Sequence, residues 1–145
     1  MGIGRHQGGL LIARIHQLQG RTFARMLKEH GIAQINPAQG RILFVLWQQD
    51  GLSMGELALR TSLGPSTLTR MLDRLEKAGQ VRRVYDDADR RKVAIALTDK
   101  NRALQSAYEE VSAAMTRVFY AGMAEAEIVQ LEKLLGQVLE NLRKP

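Results

Sequence analysis

Residues 53–79, SMGELALRTSLGPSTLTRMLDRLEKAG, contain two short helices and the tight turn between them. Ser53 stands as the N-cap of the first helix, and Glu56 three residues later completes a capping box, in which hydroxyl and carboxylate satisfy two orphan backbone N–H groups. Leu57 and Ala58 turn inward, with Leu59 as a third candidate. Thr61-Ser62-Leu63-Gly64 is the turn, and Pro65 opens the second helix, where its fixed φ and missing N–H suit a first turn. Leu68, Met71, Leu72 and Leu75 recur at three and four, which makes one apolar stripe, until Ala78-Gly79 stops the helix. Ser66, Thr67, Thr69, Arg70, Arg74 and Lys77 lie off that stripe. Their order is that of a helix-turn-helix.

Downstream, from Gln80, the apolar residues alternate instead. Val81, Arg83 and Tyr85, then Val93, Ile95 and Leu97, flank the turn-forming cluster Asp86-Asp87-Ala88-Asp89, so a two-stranded hairpin is expected, and no other β structure. Upstream, Leu11, Ile15, Leu18, Thr22 or Phe23, Met26 and Leu27 outline a long amphipathic helix ended by Gly31. Asn36-Pro37 starts another as N-cap and first residue, with Ile42, Leu43, Leu46 and Trp47 as its buried side and Asp50-Gly51 as its end. After the hairpin, Thr98-Asp99 begins a helix carrying Leu104, Tyr108, Val111, Met115, Val118 and Phe119 to about Tyr120, and Gly122 separates it from a last helix, Glu125 to Arg143.

Composition agrees with a mainly helical globular chain. Of 145 residues, 45% are hydrophobic, 25% charged and only 5% aromatic, which argues against disorder. The absence of cysteine excludes disulfides, thiolate metal sites and cysteine redox sensing. The opening stretch, Met1 to Leu11, is too weakly apolar for a secretory signal, and no run of about 20 apolar residues occurs, so a cytoplasmic location without membrane contact is expected. An enzyme is not expected: His6, His16 and His30 have no spacing that brings two onto one helical turn beside an acid, and no glycine-rich phosphate loop or metal-ligand set appears.

The net charge of +6 calls for an anionic partner, and its distribution narrows the choice. From Arg60 to Lys92 nine Lys and Arg face five acids, a local excess of +4 on less than a quarter of the chain. A helix presenting Ser66 and Thr67 near its N-terminus brings backbone N–H groups close to phosphates while Arg70 reaches base edges. Double-stranded DNA is the expected partner.

Three segments in register carry a resemblance: Ser53 to Ala58, with a hydroxyl followed by Glu56-Leu57-Ala58; Ser66 to Gly79; and Asp89-Arg90-Arg91 running into the alternating strand up to Leu97-Thr98. Together with the order and length of the flanking helices, the pattern resembles the MarR family of winged helix-turn-helix transcriptional regulators. The resemblance implies an obligate homodimer whose recognition helices enter successive major grooves while each wing tip lies against a minor groove. It puts Ser66, Thr67, Thr69 and Arg70 at the major groove, with Arg74 on the same polar face, and makes Arg90 the wing-tip residue. Asp89 and Arg91 match the family's wing pair, a brace for the hairpin. Two positions depart from the pattern: Ala88 and Val84 stand where basic residues are common, so Arg82, Arg83 and Lys92 become candidates for phosphate contacts.

The resemblance further implies a small aromatic or phenolic anion as effector, bound where the dimer helices meet the DNA-binding lobe. Arg14, His16, Trp47 and Tyr108 have suitable chemistry, but no motif fixes the pocket and none is assigned. The terminal helices are too long to bury their apolar faces on a core of this size, which also points to a dimer. The expected architecture is a winged helix-turn-helix lobe, residues 37–98, plus a dimerisation lobe of N- and C-terminal helices, residues 1–36 and 99–145. The expected function is that of a repressor on a pseudo-palindromic operator; the competing reading is a non-specific, architectural DNA binder.

Overall fold

A computed structural model of the chain describes residues 4–144; positions 1–3 and 145, at the ends of the expected dimerisation region, lie outside the described residues. Among the described residues, six α-helices and three short strands follow in the order α1 (Gly8–Glu29), α2 (Pro37–Gln48), β1 (Leu52–Ser53), α3 (Met54–Thr61), α4 (Pro65–Lys77), β2 (Val81–Tyr85), β3 (Val93–Leu97), α5 (Asp99–Phe119) and α6 (Glu125–Arg143). The described chain divides into two compact units, one ending at Ser112 and the other beginning at Ala113.

Local chemistry explains most boundaries. Asn36 Oδ1 accepts from the Gln39 N–H at 2.8 Å while Gln39 Oε1 accepts from the Asn36 N–H at 3.0 Å, so α2 starts on a complete capping box. The box expected at α3 is only half formed. Ser53 Oγ accepts from the Glu56 N–H at 3.1 Å, but the Glu56 carboxylate faces Arg60 one turn on, at 3.5 Å. Helix α4 ends where Gly79 takes a φ of +77°, a conformation open to glycine, and the Gly79 and Gln80 N–H groups close back on the carbonyls of Glu76 and Leu75.

The core of the first unit gathers Leu27 of α1, Ile42, Leu43 and Leu46 of α2, Leu57 of α3, and Leu68, Leu72 and Leu75 of α4 around Ile95 of β3 and Leu104, Tyr108 and Val111 of α5. Leu59, an inward candidate, is 54% exposed, because α3 buries one narrow edge through Leu57 and Thr61. At Gly40 the α2 backbone meets the ring of Tyr108, where any Cβ would collide with the phenol.

The hairpin forms with the register Val81↔Leu97 through Tyr85↔Val93, and a third strand joins it. Leu52 and Ser53 pair antiparallel with Ile95 and Ala94, giving the order β1-β3-β2, against the expectation that the hairpin stands alone. A two-residue strand has no periodicity to read; Asp50 secures it by accepting from the Leu97 N–H at 2.9 Å.

Large apolar side chains stay uncovered in each unit. On α1, Leu10, Leu11, Ile12, Ile15 and Leu18 are all exposed and only Leu27 is buried. On α6, which buries no residue, Leu134, Leu135, Val138, Leu139 and Leu142 are exposed.

Candidate nucleic-acid interface

Helix α4 has Gly64 as its N-cap, which offers no side chain to the orphan N–H groups of the first turn, and no acidic residue lies in that turn. These donors and the positive end of the helix dipole are left for an external anion. Ser66, Thr69, Arg70 and Arg74 are exposed and Thr67 is half-buried, while Leu68, Leu72 and Leu75 hold the opposite face in the core.

The two acids of α4 do not neutralise these cations. Asp73 and Glu76, three residues apart on one edge, both turn to Arg83 of β2: Arg83 Nη2 lies 2.8 Å from Asp73 Oδ1, and Nη1 donates to Glu76 Oε1. The Arg83 N–H also donates to Glu76 Oε2 at 3.1 Å. Desolvation works against the guanidinium, but hydrogen bonds to Asp73 and Glu76 outweigh it and hold the Arg83 pKa above its ordinary value. Arg83, a candidate for phosphate contact from its charge, is therefore committed to joining wing and recognition helix. Among the described residues no ion pair involves Arg70, Arg74 or Arg90. Alternation offered a signal for Arg83: it shares a strand face with Val81, and a cation on an inward face demands anionic partners.

Between the strands the tip folds on its own carboxylates. Asp86 Oδ1 accepts from the Ala88 and Asp89 N–H groups at 2.7 and 3.2 Å. Asp89 grips Arg91 at both oxygens, Nε to Oδ1 at 3.0 Å and Nη2 to Oδ2 at 3.2 Å, and also accepts from the Arg91 N–H at 3.1 Å. The side-chain hydrogen bond from Arg91, followed by the backbone one, lowers the Asp89 pKa. Arg90 is exposed at the tip, its guanidinium 5.9 Å from the centre of the Tyr85 ring.

Of the residues suited to an aromatic effector, Trp47 and Tyr108 meet at 4.8 Å between ring centres, with Phe23 edge-on to Tyr108 at 5.5 Å. Tyr108 is buried, and burial raises its pKa, partly offset by Arg41. Arg14 and His16 are exposed on α1. Among the described residues no group of His, Asp and Glu is arranged to hold a metal ion, and no helix is long and apolar enough to cross a membrane.

A recognition helix with an open N-terminus, tied to a braced two-stranded tip, defines a winged helix-turn-helix protein. Residues 35–93 match the model of the MarR family. The chain is 43% identical over 86 residues to the HTH-type transcriptional regulator TtmR of Methylorubrum extorquens, a match covering 59% of this chain and 43% of that protein. The chain spans about half the length of the curated relatives it matches. Among solved structures it resembles BpsR of Bordetella bronchiseptica, whose DNA binding is regulated by 6-hydroxynicotinic acid, with TM-score 0.83 and 25% identity over 95% of this chain and 96% of that one. It also resembles a mutant MarR of E. coli complexed with operator DNA, with TM-score 0.78 and 29% identity over 90% of this chain and 92% of that one. The segment 35–93, which holds the winged helix-turn-helix, thus matches the MarR family.

Proposed function

We propose that this protein is a sequence-specific, DNA-binding transcriptional regulator that acts as a homodimeric repressor on a pseudo-palindromic operator in the cytoplasm. The observation that carries the reading is the charge arrangement of α4: its acids are drawn onto Arg83, leaving an uncapped N-terminus and the cations Arg70 and Arg74 facing outward. Backbone N–H groups at Ser66 and Thr67 fit phosphate, while Thr69, Arg70 and Arg74 reach base edges and flanking phosphates in the major groove. Arg90 on the wing fits the negative potential of a narrow minor groove, and the Asp89–Arg91 pair, as a brace, keeps the tip from collapsing.

The uncovered apolar faces of α1 and α6 support a dimer, because patches of that size seldom face water in a monomer. A dimer sets its two recognition helices about 34–36 Å apart, one turn of DNA, and a small shift in that spacing releases the operator. A small aromatic or phenolic anion is the proposed releasing ligand; the response of BpsR to 6-hydroxynicotinic acid supports that chemistry.

The test is selection of random-sequence duplexes by the purified protein at physiological salt with excess competitor DNA. Enrichment of a pseudo-palindrome with half-sites one turn apart is expected. Salt-sensitive binding without sequence enrichment would overturn the regulator in favour of an architectural DNA binder.

A further inference from the structure

Three polar side chains meet in the core where α4 ends. Asn101, in the first turn of α5, is 1% exposed, and Gln80, between α4 and β2, is 6% exposed. Asn101 Nδ2 donates to Gln80 Oε1 at 2.9 Å, and the Trp47 indole N–H from α2 donates to Asn101 Oδ1. One buried amide therefore joins α2, α5 and the exit of the recognition helix. The same exit is tied to the start of α5 by the Thr98 hydroxyl, which donates to the Gly79 carbonyl, and by Lys100 Nζ, which donates to the Ala78 carbonyl at 3.0 Å.

Such amides can be exchanged, all partners together, for apolar groups of the same shape at little loss of stability, whereas removing one alone strands a buried partner. What they add is direction. Oδ1 must face a donor and Nδ2 an acceptor, whereas an apolar contact tolerates sliding. Helix α4 runs 13 residues from Pro65 to Lys77, about 20 Å at 1.5 Å per residue, so a tilt of about 5° at its exit moves its first turn by roughly 2 Å. That displacement breaks a base contact and leaves the longer-range attraction to phosphate nearly intact.

We infer that Asn101 is a positioning residue for DNA recognition: its amide, held between Trp47 and Gln80, fixes the exit of α4 and through it the reach of Ser66, Thr67 and Arg70. The inference rests on the DNA-binding reading above. It assigns Asn101 to discrimination between sequences rather than to attraction.

The experiment compares Asn101→Leu, Gln80→Met and the double variant carrying both with the parent protein. Gln80→Met keeps the length but removes the amide acceptor; in the double variant neither amide is left without its partner. Two quantities are read below the melting transition: the ratio of affinities for the selected duplex and a scrambled one, and amide hydrogen exchange at Ala78, Gly79 and Gln80. Far-ultraviolet circular dichroism and the melting midpoint report that each variant retains its fold, since Trp47 is itself a partner of Asn101.

Asn101→Leu and Gln80→Met are expected to lower the affinity ratio roughly tenfold, the worth of one lost base contact, with little change for scrambled DNA and with faster exchange at the three amides. The double variant is expected to keep the lowered ratio, because it too lacks the directional bond. An unchanged ratio in folded Asn101→Leu and Gln80→Met, or a ratio restored to the parent value in the double variant, overturns the assignment. If the parent enriches no sequence, the regulator reading and the recognition role of Asn101 fall together. Exchange at the three amides still separates the cases: acceleration upholds the fixing of the α4 exit, and unchanged exchange removes that as well.

Discussion

Replacing Arg83 by Met keeps an aliphatic stem and withdraws the guanidinium from between Asp73 and Glu76. The Arg83 side chain is 18% exposed, whereas the two carboxylates are 62% and 41% exposed. Both acids regain water when the cation goes, so the loss is that of two partly screened pairs and not of a buried triad. At about 0.2–1 kcal/mol for each pair, the substitution removes roughly 0.4–2 kcal/mol. For a chain of this size the melting midpoint falls by about 1–8 °C, compared at one protein concentration because association raises it. Moving from about 0.1 M to about 1 M salt shortens the screening length from about 10 Å to about 3 Å, so the gap between parent and variant narrows. Combining Arg83→Met with Asp73→Asn and Glu76→Gln should give less than the sum of the separate losses. A midpoint unmoved by Arg83→Met, or a drop of equal size at both salt concentrations, would refute the clamp. The variant also leaves two uncompensated acids on the helix proposed to face phosphate, so DNA affinity should fall by more than stability alone explains.

Arg90→Ala is expected to weaken binding and to reduce the salt slope by about one phosphate contact, read from affinities across a salt series; an unchanged slope and affinity would remove Arg90 from the interface. Arg70→Ala should lower affinity by about 1–3 kcal/mol and relax sequence preference in a selection experiment, and a preference that survives intact would make Arg70 a phosphate contact only. Gly40→Ala puts a Cβ against the Tyr108 hydroxyl and within 2.9 Å of its ring Cζ, so a loss of about 1–3 kcal/mol is expected in thermal melts. A net gain, of the kind alanine ordinarily brings to a helix interior, would show that this close approach is absent. Asp89, with its pKa lowered by Arg91, contributes to wing order above the ordinary aspartate value of about 3.9, and that contribution is lost as pH falls through the lowered value. Carboxyl NMR titration checks this: Arg91→Ala should return Asp89 to the ordinary range, and an ordinary value in the parent would mean that the pair does not form.

Much of this protein is legible along the chain because its elements follow local rules. The 3.6-residue stripe of Leu68, Met71, Leu72 and Leu75, the proline at the start and the glycine at the end place α4 without reference to anything else. Alternation on either side of an aspartate-rich turn places the hairpin in the same way. The basic excess between Arg60 and Lys92 and the hydroxyls early in α4 identify the candidate interface by composition and spacing.

Tertiary structure decides which of those charges remain available. Arg83 counts equally with Arg70 in the sequence, yet strand β2 brings it to two acids seven and ten residues earlier, and it leaves the set of candidate DNA contacts. Strand β1 exists only because Leu52 arrives beside Ile95, and Glu56 turns from its expected cap to Arg60. Trp47 and Asn101, 54 residues apart, share a hydrogen bond that no periodicity announces. Apolar spacing is a property of one segment and survives in the bare sequence. The partner of a buried polar group depends on where two segments cross, and that becomes definite only when the core closes.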